Sequence, residues 1–168
     1  SGALNQLLNE TDWGELDYLI VDMPPGTGDI QLTMSQKVPA SGTVIITTPQ
    51  DLALADAQKG IAMFNKVNVP VLGLIENMSY FLCGHCGQPN HVFGKDGAVT
   101  LAHRHGVPVL ATIPLATEIR ESSEQGHLIA QNNAETISET YKTAARVLAS
   151  SLYYQQAKSA VEIVITDD

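Results

Sequence analysis

The sequence predicts an α/β fold, a three-layer sandwich in which a mostly parallel sheet lies between two layers of helices. Three observations predict it. Short, almost wholly apolar runs rich in β-branched residues alternate with longer segments of helical period, which is how strands read when helices cover both faces of their sheet. Each apolar run stops at Asp, Asn or Pro, residues that favour a turn over further strand. The 168 residues, 44% of them hydrophobic, contain no internal repeat and no low-complexity linker, so residues 1–168 are expected to form one domain around one core.

In chain order, residues 4–9 read as a short helical piece leading into a strand. "DYLIVD" at 17–22 is an apolar run ending in Asp22, followed by the breaker cluster "MPPGTGD". It reads as a buried strand with a loop at its carboxyl end, and Asp29 is placed to cap a helix over 30–38. "GTVIITTP" at 42–49 is a second strand, ended by proline. "DLALADAQKGIAMFNKV" at 51–67 puts Leu54, Ala57, Ile61 and Phe64 on one helical face, with Gly60 a local weak point of about 1 kcal/mol relative to Ala. "VPVLGLIEN" at 69–77 is the third strand, and the loop that carries both cysteines follows it. A helix over 95–106 stops at Gly106, "VPVLATIPL" at 107–115 is the fourth strand, and helices cover 117–126 and about 134–157. "VEIVI" near the end is an edge strand or part of a loose tail over about 158–168.

Ligands of open parallel sheets sit beyond the carboxyl ends of the strands. Here those ends carry Asp22 with its glycine-rich loop, residues 47–50, Asn77, and Pro114 with Leu115. Composition narrows what such a site can serve. With 18 acidic against 9 basic side chains the formal charge is -9, and the basic residues are scattered singly. That balance repels nucleic acid and anionic lipid. No run reaches the roughly 18 apolar residues of a membrane span, and the first residues lack the charged-then-apolar pattern of a secretory signal. A cytoplasmic protein is expected, with neither nucleic acid nor membrane as partner.

A strand ending in Asp22 and followed by "PPGTGD" has the chemistry of a nucleotide-triphosphatase switch. Asp22 can hold magnesium through water, while Gly26 and Gly28 let backbone amides approach a terminal phosphate. The same residues also suit a plain strand-to-helix loop with Asp29 as its N-cap. The segments "DYLIVDMPPGTGDIQLTMSQ", "TVIITTPQDLALADAQKGIAMFNKVNVPVLGLIENMSYFLCGHCG" and "FGKDGA", in this order, resemble the Mrp/ApbC/Nbp35 family, iron–sulfur cluster carrier ATPases of the deviant-Walker class related to MinD. The likeness covers roughly residues 13–130. It implies a P-loop NTPase-like fold and a homodimer that binds ATP and magnesium and carries a 4Fe-4S cluster for delivery to apo iron–sulfur proteins, together with cluster assembly factors. By the same resemblance Asp22 corresponds to the Walker B aspartate, and Gly26, Thr27, Gly28 and Asp29 to switch II. Asn77 corresponds to the residue whose side-chain amide reads adenine, and Pro114 and Leu115 to the segment flanking the base. Read by itself, Asn77 is also a plain turn former.

Two thiols, Cys83 and Cys86 in "FLCGHCGQPNHVFG", are all the cysteines present. In a reducing compartment a lone Cys-x-x-Cys pair is metal-binding or redox-active rather than a structural disulfide. Dithiol exchange wants the first Cys at a helix N-terminus, and the Gly87, Pro89 and Asn90 that follow oppose a helix there. A zinc-stabilised binding or regulatory module would need two more ligands, for which His85 and His91 are the nearby candidates. A site shared across a two-fold axis needs none, because two thiolates from each of two copies make Cys₄, the usual ligand set of an iron–sulfur cluster. The glycines flanking the second Cys let the backbone curl so that amides point at sulfur, and Tyr80, Phe81, Leu82, Val92 and Phe93 can either shield a cluster or pack on the core.

One departure from the family is plain. No phosphate-binding loop of the form G-x-x-x-x-G-K-S/T occurs: the Gly94–Lys95 pair is followed by Asp96 and has no glycine at the required spacing before it. In the family that loop lies upstream of the stretch matched here, so the chain reads as the C-terminal part of a carrier. It is therefore expected neither to bind ATP tightly nor to hydrolyse it alone. Calorimetric titration checks this, and binding of MgATP in the micromolar range would overturn it.

Overall fold

The computed structural model describes residues 2–23, 38–131 and 135–159. The expected helix over 30–38 and the "VEIVI" segment lie mainly or wholly outside them. A helix α1 spans Gly2–Asn9. Three strands, β1 (Thr43–Thr47), β2 (Val71–Glu76) and β5 (Val109–Thr112), form a parallel sheet in the order β1-β2-β5. Ile45 pairs with Leu74, and Leu74 in turn with Val109. Helices α2 (Asp51–Lys66), α3 (Gly97–His105), α4 (Thr117–Glu124) and α5 (Glu135–Ser159) connect and cover them, with a 3-10 turn at Ile129–Gln131. A separate antiparallel pair, β3 (Phe81–Leu82) with β4 (Pro89–Asn90), rises from the loop between β2 and α3.

The core follows from the periodicity of α2. Ala57 and Ile61 are buried and Leu54 and Phe64 partly so, one stripe of the helix set against Ile45 and Leu74 of the sheet and Ala98, Leu101 and Ala102 of α3. Asp51 in the first turn and Lys66 in the last oppose the helix dipole favourably at both ends. Helix α3 ends where the sequence predicts, with Gly106 at φ +66° donating its N–H to the His103 carbonyl. Helix α5 packs on β5 and β2 without joining the α2–α3 cluster, as a helix on the opposite face of the sheet does.

The expected strand at 17–22 is a correction. These residues belong to no strand, and Tyr18, Leu19, Ile20 and Val21 are exposed, Ile20 by 83%. An apolar run becomes a strand only when a neighbour takes its backbone hydrogen bonds, and among the described residues none pairs with it. Among the described residues the outer edge of β1 is likewise unpaired. Coverage is also one-sided there: Ile45 is buried under α2, whereas Ile46, on the other face, is 65% exposed. Trp13 stays 44% exposed, its indole N–H donating to the Leu8 carbonyl at 3.2 Å.

Gly73 lets β2 approach β5. A Cβ there would lie 2.7 Å from the Pro108 carbonyl oxygen and 2.7 Å from Leu110 Cγ, at the point where Leu74 N–H donates to the same Pro108 oxygen at 2.9 Å. Backbone cannot retreat as a side-chain end can. Gly73→Ala is expected to cost about 1–3 kcal/mol in urea denaturation; an unchanged midpoint would show that the two strands separate freely.

Candidate functional site

The carboxyl ends of the three strands are sewn together beyond the strands themselves. Asn77 N–H donates to Thr47 O at 2.7 Å, Ile113 N–H to Glu76 O at 2.8 Å, Ser79 N–H to Ile113 O at 2.9 Å and Leu115 N–H to Tyr80 O at 2.7 Å. Asn77, Pro114 and Leu115 are thereby brought to one edge of the sheet. The Asn77 side chain folds back onto the next residue, its Oδ1 accepting the Met78 N–H at 2.9 Å, while Met78 takes the left-handed conformation at φ +53°. Asp22, by contrast, is exposed in the unpaired stretch outside the sheet. Gly26, Thr27, Gly28 and Asp29 lie outside the described residues.

At the centre of this edge is a carboxyl group that the sequence reading missed. Glu76 is 2% exposed; its Oε1 accepts the Ser79 hydroxyl at 2.6 Å and its Oε2 the Ala98 N–H at 2.7 Å. A buried carboxylate without donors would be costly, and here each oxygen meets one. The available signal was a charged residue closing the otherwise apolar "VLGLIE". A cleft of about 360 Å³ between α2 and α3, bordered by Asp51, Lys95, Asp96 and Arg104, holds none of the candidate nucleotide- or metal-binding residues named from the sequence.

The cysteines sit at the tip of the β3–β4 hairpin. Cys83 N–H donates to Gln88 O at 3.0 Å, and Gly87, at φ +69°, donates to Cys83 O at 2.8 Å. This curl turns the backbone N–H groups of Cys86 and then His85 onto the Cys83 sulfur and, with the Cys86 thiol, holds Cys83 below the usual thiol range. Cys83 is half-buried, Cys86 and His85 exposed. Cys83 starts no helix, so the geometry that dithiol exchange wants is missing. His91 is held at the hairpin base, its Nδ1 3.1 Å from Ser79 O and its ring edge-on to Tyr80 at 6.4 Å. Among the described residues no group of three or more His, Cys, Asp or Glu is arranged to hold a metal. Neither His85 nor His91 completes a set with the thiols there. Phe81, Leu82 and Val92, which the sequence left divided between shielding and core packing, are exposed, as are Met78 and Leu115.

Thiolate held by amides should survive to lower pH. In the folded chain, alkylation of Cys83 by iodoacetamide, followed by peptide mass spectrometry, is expected to reach half its maximal rate at lower pH than in the urea-unfolded chain. Coincident profiles would show that the curl does nothing for the sulfur.

Comparison with known proteins places the chain. The family described as ParA, NUBPL iron-transfer P-loop NTPase, matches residues 1–149. The iron-sulfur cluster carrier protein of Pseudomonas fragi is 61% identical over 126 residues, 75% of this chain and 44% of that protein. The iron-sulfur cluster transfer protein NUBPL of Mus musculus is 58% identical over 124 residues, 74% of this chain and 39% of that one. Among solved structures, a nucleotide-binding protein of Archaeoglobus fulgidus in complex with ADP superposes with a TM-score of 0.68 at 40% identity, over 74% of this chain and 51% of that one. The chain thus spans less than half the length of these two curated relatives. A family match over residues 1–149 and two relatives identical at more than half of their aligned positions leave one placement: this chain belongs to the NUBPL iron-transfer P-loop NTPases.

Proposed function

We propose that this chain is the cluster-holding part of an iron–sulfur cluster carrier, and that Cys83 and Cys86 bind one edge of a 4Fe-4S cluster whose other edge is bound by the same two residues of a second copy. The observation that carries this reading is the hairpin tip: two free thiols, Cys86 exposed and Cys83 half-buried, with no third ligand beside them among the described residues. The donor set suits the cargo. Thiolates are soft ligands that select iron–sulfur clusters, zinc and cuprous ions, and amides aimed at sulfur stabilise its charged form. An exposed apolar collar of Phe81, Leu82 and Val92 gives a facing copy a surface to cover, excluding water from the shared cargo. Delivery to an apo iron–sulfur protein then proceeds by replacement of Cys83 and Cys86 by the recipient's own thiolates, for which an exposed tip is accessible.

The nucleotide part of the proposal rests on the family. By the family resemblance, Asp22 would hold magnesium, Gly26, Thr27, Gly28 and Asp29 would serve the terminal phosphate, and Asn77, Pro114 and Leu115 would bind the base. The Asn77 amide must leave Met78 N–H, or use its NH₂ group, to read adenine. Because Asn77 lies two residues before Ser79 at the hairpin base, a change of nucleotide at this edge has a short path to the thiols, and ATP binding or hydrolysis can set cluster retention. Apo iron–sulfur proteins and cluster assembly factors are the partners, in a reducing compartment such as the cytoplasm. No helix among the described residues is long and apolar enough to cross a membrane.

Anaerobic reconstitution with iron and sulfide is expected to load about four irons per dimer with a broad visible absorption, and Cys83→Ser or Cys86→Ser to abolish it. One colourless zinc per monomer, or a monomer that stays iron-loaded, would overturn the proposal.

A further inference from the structure

We propose that Glu76 is a positioning residue that aims the thiol hairpin by gripping both of its roots. The excursion that carries Cys83 and Cys86 leaves the sheet after Glu76 and returns to the fold at α3. One oxygen of Glu76 binds its outgoing root, at the Ser79 hydroxyl, and the other binds its return, at the Ala98 N–H. All three residues are buried: Glu76 2%, Ser79 4% and Ala98 0% exposed. Water therefore offers the two donors no easy substitute.

Ser79 extends the grip into the hairpin. Its N–H is held by Ile113 O and its carbonyl faces His91 Nδ1 at 3.1 Å, so the chain entering β3 and the chain leaving β4 are tied at one residue. On the return side, a Cβ on Gly97 would lie 3.0 Å from Pro49 O and 2.7 Å from Leu54 Cδ1, which presses the start of α3 against the end of β1. The hairpin, the sheet edge and α3 thus share a single buried junction. A site assembled from two copies needs its half-sets held to within a fraction of an ångström of the productive geometry by supporting contacts. Nothing else described bonds both roots to one side chain.

The inference rests on the metal-binding reading of the two cysteines, and the chemistry of substitution separates the two. Glu76→Gln keeps one oxygen for Ala98 N–H and offers an NH₂ to the Ser79 hydroxyl, which can rotate to accept it. Glu76→Asp is one methylene too short to reach both roots, and Glu76→Leu leaves both donors unmet. In the metal-free chain, amide hydrogen exchange at Ser79, Cys83 and Ala98 is expected to accelerate at least about 10-fold in the Asp and Leu variants and to return to within about 3-fold of wild type in Gln. In the reconstituted chain, removal of iron by a chelator is expected to quicken about 10-fold or more in Asp and to be rescued by Gln, while thermal unfolding of the Asp variant keeps a single cooperative transition.

Unchanged exchange in Asp and Leu would overturn the positioning role whether or not metal binds. So would exchange that Gln fails to restore, or iron loss equal in Asp and wild type. If exchange responds as expected but the wild-type chain takes up no iron, the grip stands and the carrier reading falls.

Discussion

A carboxyl group at the end of an apolar strand, out of reach of water, has to be met by donors from the protein or it destabilises the fold. That constraint organises everything at the working end of this molecule. The donors that satisfy Glu76 come from the two ends of one long loop, so solving a burial problem in the sheet also fixes where the loop leaves and where it returns. The strand-end hydrogen bonds from Asn77, Ser79, Ile113 and Leu115 continue the sheet's order past its last residue. The result is a firm platform beneath a hairpin whose own strands are only two residues each, too short to be stable alone.

The hairpin tip obeys a different constraint, stoichiometric rather than steric. Two sulfurs at a Cys-x-x-Cys curl make half of a four-ligand set. The curl favours the thiolate form that such a set would use, because the Cys86 and His85 amides aimed at the Cys83 sulfur lower its pKa. What it cannot do is supply the rest, and the two histidines that sequence spacing nominated are spent otherwise: His85 points into solvent's reach between the thiols, and His91 braces the base of the hairpin.

On the β1 side, strand-like features go unpaired among the described residues. The free edge of β1, the exposed face at Ile46 and the unpaired apolar run at 17–22 occur together, and each lacks a neighbour among the described residues. The residues proposed for the nucleotide divide along the same line. Asn77, Pro114 and Leu115 lie at the hydrogen-bonded ends of the three-stranded sheet, whereas Asp22 lies in the run that pairs with no strand among the described residues.

Much of this was legible in the residues alone. The stripe of Leu54, Ala57, Ile61 and Phe64, the strands around 43–47, 71–76 and 109–112, the helix stop at Gly106 and the curl at Gly87 are set by side-chain periodicity and backbone preference, which act over a few residues and so can be read from a few residues. The family resemblance and the shortage of cysteines were equally visible, since both depend on order and number. Tertiary structure alone decided that 17–22 pairs with nothing described, that His91 serves the hairpin base, that Asn77 turns onto Met78, and that Glu76 joins Ser79 to Ala98. Those outcomes depend on which groups meet across long stretches of chain. A hydrogen bond between residues 22 positions apart leaves no periodic trace in the sequence; it exists only once packing has brought both partners out of water and into reach.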